Sequence, residues 1–199
     1  MDPAAVAEDG AGYVVTTPGE VRETRPEVIL THSPIPMPER VETLADYVTW
    51  WEVRFEGFGM PDEERAAIRA TLRERWTATA DDASRWSYLA LVEGVPVAEG
   101  SVRRTVHGPL WLAGGATLPP FRGRGIYRAL VRARWDDAVR LGAGALVVIA
   151  NVDTSYPILE RLGFRAVGMV RLLADWAAPA SQATGGVGDR VSASRRGLR

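Results

Sequence analysis

The sequence predicts an α/β domain with a mixed, mostly antiparallel sheet flanked by helices. Three observations carry this. Residues 86–117 hold three β-like runs separated only by Glu93-Gly94 and His107-Gly108-Pro109. Connections that short join antiparallel neighbours. Residues 110–117 are then followed by a loop, a helical pattern over 126–141 and a β-like run over 145–150. A strand–helix–strand crossover of that length places its two strands parallel. Finally, Ala145-Leu146-Val147-Val148-Ile149-Ala150 is apolar at every position, as in a strand buried on both faces.

Taken in order, residues 1–12 are small and acidic, without periodicity. Residues 13–17 read as a short strand closed by Pro18-Gly19, and 27–32 as a second β-like run ended by Pro34 and Pro36. Pro38-Glu39 opens a helix in which Val41, Leu44, Tyr47, Val48, Trp51 and Phe55 recur at three- and four-residue spacing, so one face is buried. Pro61-Asp62-Glu63-Glu64 starts a second helix running to about Trp76, and 77–84 is a polar loop. After the meander and the 126–141 helix, Gly142 is the expected C-cap. A short helix over 154–161 stops at Gly163, and 164–173 is the last strand. These assignments divide the chain into an N-terminal arm (1–26), a domain (27–176) and a disordered Ala/Ser/Gly/Arg tail (177–199).

Composition narrows the chemistry. The chain has 199 residues, 46% hydrophobic and 25% charged, with a net charge of -1. That balance offers no general attraction to nucleic acid or an anionic membrane. All 24 basic residues are arginine, so no lysine is present to act as a Schiff-base nucleophile or general base. The absence of cysteine excludes disulfides, zinc–thiolate sites and a cysteine nucleophile, and no metal is expected. The N-terminus lacks a basic region followed by an apolar run, and the longest apolar run is far too short to span a bilayer. The expectation is a cytoplasmic protein.

The stretch from Gly114 to Val131 organises the rest. An apolar strand stops at Pro119-Pro120, which cannot continue a ladder, and an Arg122-Gly123-Arg124-Gly125 loop leads directly into a helix. Glycines leave backbone N–H groups uncovered at a helix N-terminus, where they bind anions, and Arg122, Arg124 and Arg128 add positive charge. The dinucleotide fingerprint fails for want of a third glycine, and the P-loop for want of Gly-Lys-Ser/Thr.

An antiparallel meander, a Pro-x-Phe-Arg-Gly-x-Gly-Ile loop, a helix, an apolar strand and Leu159-Glu160-Arg161-Leu162-Gly163-Phe164 together resemble the GCN5-related N-acetyltransferase (GNAT) superfamily over about residues 41–175. The resemblance implies acetyl-CoA as cosubstrate and direct acetyl transfer to an amine of a small molecule or peptide. It assigns the pyrophosphate to the loop, Arg122, Gly123, Arg124, Gly125, Ile126 and Tyr127, and the pantetheine arm to backbone groups of Thr117 and Leu118. The strand pair would part near Thr117 to offer that edge. The family usually ends in a strand pair. Only one clear strand follows Gly163, so a strand from the N-terminus is a candidate to fill the gap. The same N-terminal strands are equally compatible with a homodimer in which they join a partner's sheet.

Departures from the family pattern leave the catalytic end open. Tyr127 stands where Gly or Ala is usual, and is read more as core than as a cofactor contact. Leu159 stands where many members have the Tyr that protonates the departing thiolate, so Tyr156 or Ser155, one turn earlier, are the substitutes. Asn151 is displaced by one residue and is either a cofactor contact or a turn residue. An amine needs a base, for which Glu56, Glu99 and Asp153 are candidates, each more ordinarily a solvated surface acid. His107 is read as exposed, and His32 has no supporting context. Trp51 and Phe55 belong to the buried stripe, whereas Trp50 and Phe58 fall off it and are candidates to line the acceptor pocket. Arg134 and Asp137 share the apolar side of the 126–141 helix three residues apart, where they can pair or form a buried network. A catalytically silent acyl-CoA-binding domain is the alternative reading.

Overall fold

The computed structural model describes residues 37–171 and the backbone of residues 12–17. Its strands are β1 (Gly12–Thr17), β2 (Glu39–Arg40), β3 (Arg85–Val92), β4 (Val95–Arg104), β5 (Leu110–Thr117), β6 (Leu146–Asn151) and β7 (Arg165–Arg171). Its helices are α1 (Leu44–Phe58), α2 (Asp62–Arg69), α3 (Leu72–Thr77), α4 (Ile126–Arg140) and α5 (Tyr156–Arg161). The strands form one sheet in the order β2-β3-β4-β5-β6-β1-β7. Only β5 and β6 are parallel; the other neighbours are antiparallel. The mixed, mostly antiparallel sheet expected from the sequence is present.

The N-terminal strand completes this sheet. β1 lies between β6 and β7, antiparallel to both, with Tyr13 opposite Asn151 on one side and Val170 on the other. Without β1, the facing edges of β6 and β7 would present unpaired N–H and C=O groups. The β-like run at 27–32, His32 and the tail from 177 lie outside the described residues.

The two helical segments expected before the meander differ from the sequence reading. The first helix starts at Leu44, not Pro38. Thr43 caps it in a reciprocal capping box with Asp46, and Glu39 and Arg40 instead pair with Leu89 and Tyr88. The second segment is broken into α2 and α3. The Thr71 hydroxyl donates to the Ile68 carbonyl at 3.0 Å, a local bond that competes with continuation of the helix.

Alternation along β3 shows how the helices are layered. Leu89 packs with Trp50 and Val53 of α1, while Tyr88 and Ala90 join Leu130 and Val131 of α4 in the larger core. Adjacent strand residues face opposite sides, so α1 and α4 cover opposite faces of the sheet. Leu159 of α5, with Leu162 and Phe164 just after it, is buried in the α4 core and holds α5 to that face. Among the described residues, no helix is long and apolar enough to cross a membrane.

Deleting residues 1–17 is expected to lower the melting temperature by roughly 10 °C or more and to produce aggregates, since two sheet edges are uncovered at once. Thermal denaturation and size-exclusion chromatography check this; an unchanged, monodisperse product would contradict it.

Candidate active site

A β-bulge lies at the centre of the site. Glu99 pairs with Ala116 and Ser101 with Ala113, so Gly114 and Gly115 of β5 oppose only Gly100 of β4. Gly114 has φ 72° and a Cβ there would collide with the Arg54 guanidinium; a Cβ on Gly115 would lie 2.9 Å from the Tyr127 ring. Glycine is therefore required at both positions for conformation and for space.

A buried charge holds each side of the bulge. From α1, Arg54 Nη1 donates to Glu99 Oε1 at 3.2 Å, and Glu99 is 0% exposed. From α4, Arg134, also 0% exposed, donates through Nη1 to the carbonyls of Gly114 (3.2 Å) and Ser101 (3.5 Å), and through Nε to Leu130 (2.9 Å). Burial pushes the Glu99 carboxyl up to about 7, against the opposing pull of Arg54, Arg134 and the amides of Gly115 and Ala116. Burial likewise lowers the Arg134 guanidinium, opposed by Tyr127 and Glu99. Glu99 Oε2 and Arg134 Nη2 are buried without a hydrogen-bond partner.

Two sequence expectations are corrected here. Glu99 is not a solvated surface acid; it is fully enclosed between α1 and the sheet. Nor do Arg134 and Asp137 pair. Asp137 instead takes Arg40 (2.7 Å), the Trp86 indole (2.6 Å), the Tyr88 hydroxyl and Arg140, anchoring the far end of α4 to β2 and β3.

Beyond the bulge the sheet opens. β5 and β6 pair only from Leu110/Leu146 to Leu112/Val148. Past that point the outer edge of β5 has no strand partner among the described residues. The Leu118 N–H donates to the Val97 carbonyl at 2.9 Å, so the neighbouring Thr117 backbone groups face away from β4, toward the gap. This corrects one expectation: the Leu118 amide is consumed by the ladder, and with the Thr117 carbonyl taken by Arg122 only the Thr117 N–H is left to the opening. The Thr117 hydroxyl is buried and unpartnered.

The loop follows at once. Pro119–Phe121 make a 3-10 turn, and Gly125, φ 81°, caps α4 with no side-chain hydrogen bond. The amides of Ile126, Tyr127 and Arg128 thus start the helix without partners within it. A Cβ on Gly123 or Gly125 would meet nothing within 4 Å, so the loop backbone is open to approach. Arg124 and Gly123 are exposed, with Arg124 over the Phe121 ring. Arg122 donates to the Thr117 carbonyl (3.0 Å) and the Gly57 carbonyl (3.0 Å), clasping the loop to the end of α1. Tyr127 turns its ring inward, under Gly115 and beside Arg134, as the core reading expects.

The Asn151 side chain accepts from the Asp153 and Thr154 amides (3.0 and 3.1 Å), an Asx-type turn. The Ser155 hydroxyl oxygen accepts the Asn151 N–H at 3.0 Å. The Tyr156 hydroxyl donates to Glu160 at 3.1 Å, which raises its pKa, and Asp153 is exposed. On α1, Glu56 lies on the solvent side, 3.5 Å from Arg65. Phe58 is 52% exposed beside Arg54. Trp50 is buried, stacks with Tyr47 and meets Trp51 edge-on. A cleft of about 920 Å³ runs from Gly114 past Trp50, Trp51 and Arg54 to Arg103 and Arg104. Phe58 is not among its walls.

The model of the acetyltransferase (GNAT) family matches residues 45–164. Among solved structures, the chain is similar to a functionally unknown conserved protein from Staphylococcus epidermidis (14% identity, TM-score 0.59), covering 85% of this chain and 65% of that one. It is similar to a GCN5-related N-acetyltransferase from Kribbella flavida (16%, TM-score 0.57, 84% and 61%). A third likeness is to AAC(6')-Iy in complex with the bisubstrate analog CoA-S-monomethyl-acetylneamine (20%, TM-score 0.53, 69% and 95%). The chain thus spans under two thirds of the Staphylococcus and Kribbella proteins. At these identities the likeness establishes the fold. A search of curated proteins returned no match.

Arg134→Met is expected to destabilise the protein by roughly 1–3 kcal/mol, because it strips donors from buried carbonyls and removes a countercharge from Glu99. Urea denaturation checks this; unchanged stability would show that the bulge does not depend on Arg134.

Proposed function

The chain belongs to the acetyltransferase (GNAT) family, and we propose that it transfers acetyl from acetyl-CoA directly to an amine of a small molecule or peptide. One observation carries this reading: the uncapped N-terminus of α4 sits immediately beside the opening between β5 and β6. The residues present fit acetyl-CoA. Open glycines and free helix amides suit a diphosphate, and the outward Thr117 N–H with its orphaned hydroxyl suits a pantetheine amide.

In this proposal the amides of Ile126, Tyr127 and Arg128, with Gly123, Gly125 and the exposed Arg124, hold the pyrophosphate. Arg122 positions that loop, and Tyr127 supports it from beneath through its ring. Asn151 shapes the turn beside the opening. When bound, acetyl-CoA supplies the activated acyl group. Thr117 aligns the arm, and its outward N–H polarises the acyl carbonyl. Glu99 replaces Glu56 as the base, taking the proton of the attacking ammonium directly or through one water, since its carboxyl sits at the bulge and changes charge near neutrality. Ser155 keeps its hydroxyl proton free while its oxygen accepts from Asn151, so it is preferred to Tyr156 as the acid. Trp50 lines the acceptor side.

One observation favours a second reading, a silent acyl-CoA-binding domain: Leu159 is a fully buried core residue and brings no hydroxyl to the site. Thiol release over a panel of amines separates the two. Binding of acetyl-CoA with no turnover on any amine supports the silent domain.

Gly123→Asp is expected to weaken acetyl-CoA at least about tenfold by calorimetry while lowering the melting temperature by no more than about a few degrees, the strain of a side chain at φ 75°. Its side chain enters open space at a φ that Asp tolerates, and adds a charge that repels the diphosphate. Undiminished affinity would remove the pyrophosphate from this loop.

Below pH 7 the Glu99 carboxyl is mostly protonated and cannot accept a proton; above it, the carboxylate is available. The rate at saturating acetyl-CoA is therefore expected to rise through an apparent pKa of about 7. Glu99→Gln should lower kcat by about 10²–10⁴-fold and abolish that limb. A variant that keeps the limb would show that it belongs to the amine.

A further inference from the structure

We propose that the acceptor amine carries an anionic group, recognised by the arginine-lined cleft beside the bulge; this rests on the acetyl-transfer reading above. The chain as a whole is nearly neutral, yet seven arginines and only three acids line this one cleft. The excess is not cancelled locally. Arg40 and Arg140 share the single carboxylate of Asp137. Arg85 is paired with Asp82 at 3.4 Å, and Arg54 with Glu99. Arg75, Arg103 and Arg104 have no acid within ion-pair distance among the described residues.

The remaining polar groups of the walls point to the same chemistry. Trp50 and Trp51 line the cleft, and each has a buried indole N–H without an acceptor. Guanidinium and indole groups donate and cannot accept, so a ligand that satisfies them must bring acceptors. A carboxylate or phosphate does so and carries the complementary charge. A polycationic amine would meet like charge in a confined, low-dielectric space.

The strand register sets the distance. Arg103 pairs with Trp111, three residues before Gly114, so the free arginines stand about 10 Å from the bulge along β5. An amine at the bulge and an anion about 10 Å away would occupy both ends. In the transfer, the amine nitrogen forms the C–N bond to the acetyl carbon as the C–S bond breaks. One proton of the ammonium passes to Glu99, the second N–H proton leaves to solvent as the amide forms, and the sulfur takes one from solvent or from Ser155, which regains it from solvent. The distal anion is unchanged.

Three eight-carbon amines of equal length test this: 8-aminooctanoate, 8-aminooctanamide and 1,8-diaminooctane, with a distal charge that is negative, neutral or positive. By thiol release, kcat/KM is expected to favour the carboxylate over the amide by about tenfold or more, with the diamine poorest. Salt at about 0.5 M should shrink the preference. The double variant Arg103→Gln, Arg104→Gln should reduce it to about twofold while leaving acetyl-CoA affinity unchanged. A flat or reversed order in the unmodified protein, or a preference intact in the double variant, overturns the proposal. If acetyl-CoA binds but none of the three is acetylated, the transfer reading fails on these amines, and calorimetry decides the cleft separately. Tighter binding of 8-aminooctanoate than of the diamine, lost in the double variant, upholds it; equal or weaker binding sinks it.

Discussion

The bulge between β4 and β5 depends on two opposite charges that never touch. Glu99 approaches it from the α1 face and Arg134 from the α4 face, and both are completely enclosed. Burial works against the charged form of both, raising the pKa of the carboxyl and lowering that of the guanidinium. Each is tolerated because the other, with Arg54 and the exposed bulge backbone, supplies counter-charge and hydrogen bonds. Gly100, Gly114 and Gly115 are the complement of this arrangement: the guanidinium of Arg134 lies 3.2 Å from where a Gly100 Cβ would be. Small residues on the strands and large charged ones on the helices therefore form one unit.

From that unit the two ends of the site follow. On one side, β5 leaves its partner after Leu112 and carries Thr117 and the glycine loop into α4. On the other, the strand surface runs under α1 into a cleft whose walls hold an excess of arginine. The bulge makes both possible, because a regular ladder would keep the amides of Gly115 and Ala116 away from Glu99 and the edge of β5 straight. Asp137 performs the matching task at the other end of α4, tying it to β2 and β3 through Arg40, Trp86 and Tyr88. The helix that presents its N-terminus to the opening is thereby fixed at both ends.

The glycine–arginine loop was legible in the sequence because its chemistry is local. Glycines, arginines, a double proline and a helix start lie within about ten consecutive residues, and their meaning depends little on what packs around them. Glu99 was not legible for the opposite reason. Alternation runs regularly along β4 from Ala98 to Arg103, which puts Glu99 on the face opposite Ala98 and Val102. Nothing in β4 says that α1 and Arg54 close over Glu99 on that face. Its only local mark was a carboxylate set between Ala98 and Gly100 in mid-strand. Arg134 and Asp137 were rightly placed on the apolar side of their helix, but spacing alone suggested that they pair with each other. The partners they take lie far along the chain: Arg40 is 97 residues from Asp137.

The sequence by itself determined the element types from the meander onward, the antiparallel meander, the parallel crossover and the glycine loop that opens the long helix. Each follows from periodicity, turn chemistry and backbone geometry within a few residues. Only the tertiary structure decided that the N-terminal strand joins this chain's own sheet between β6 and β7. It also decided that Leu118 spends its amide on Val97 while Thr117 faces the opening, and that Glu99 is buried under Arg54. These are matters of pairing and burial between distant segments. They turn on which donor meets which acceptor once water is excluded, and no local pattern encodes that.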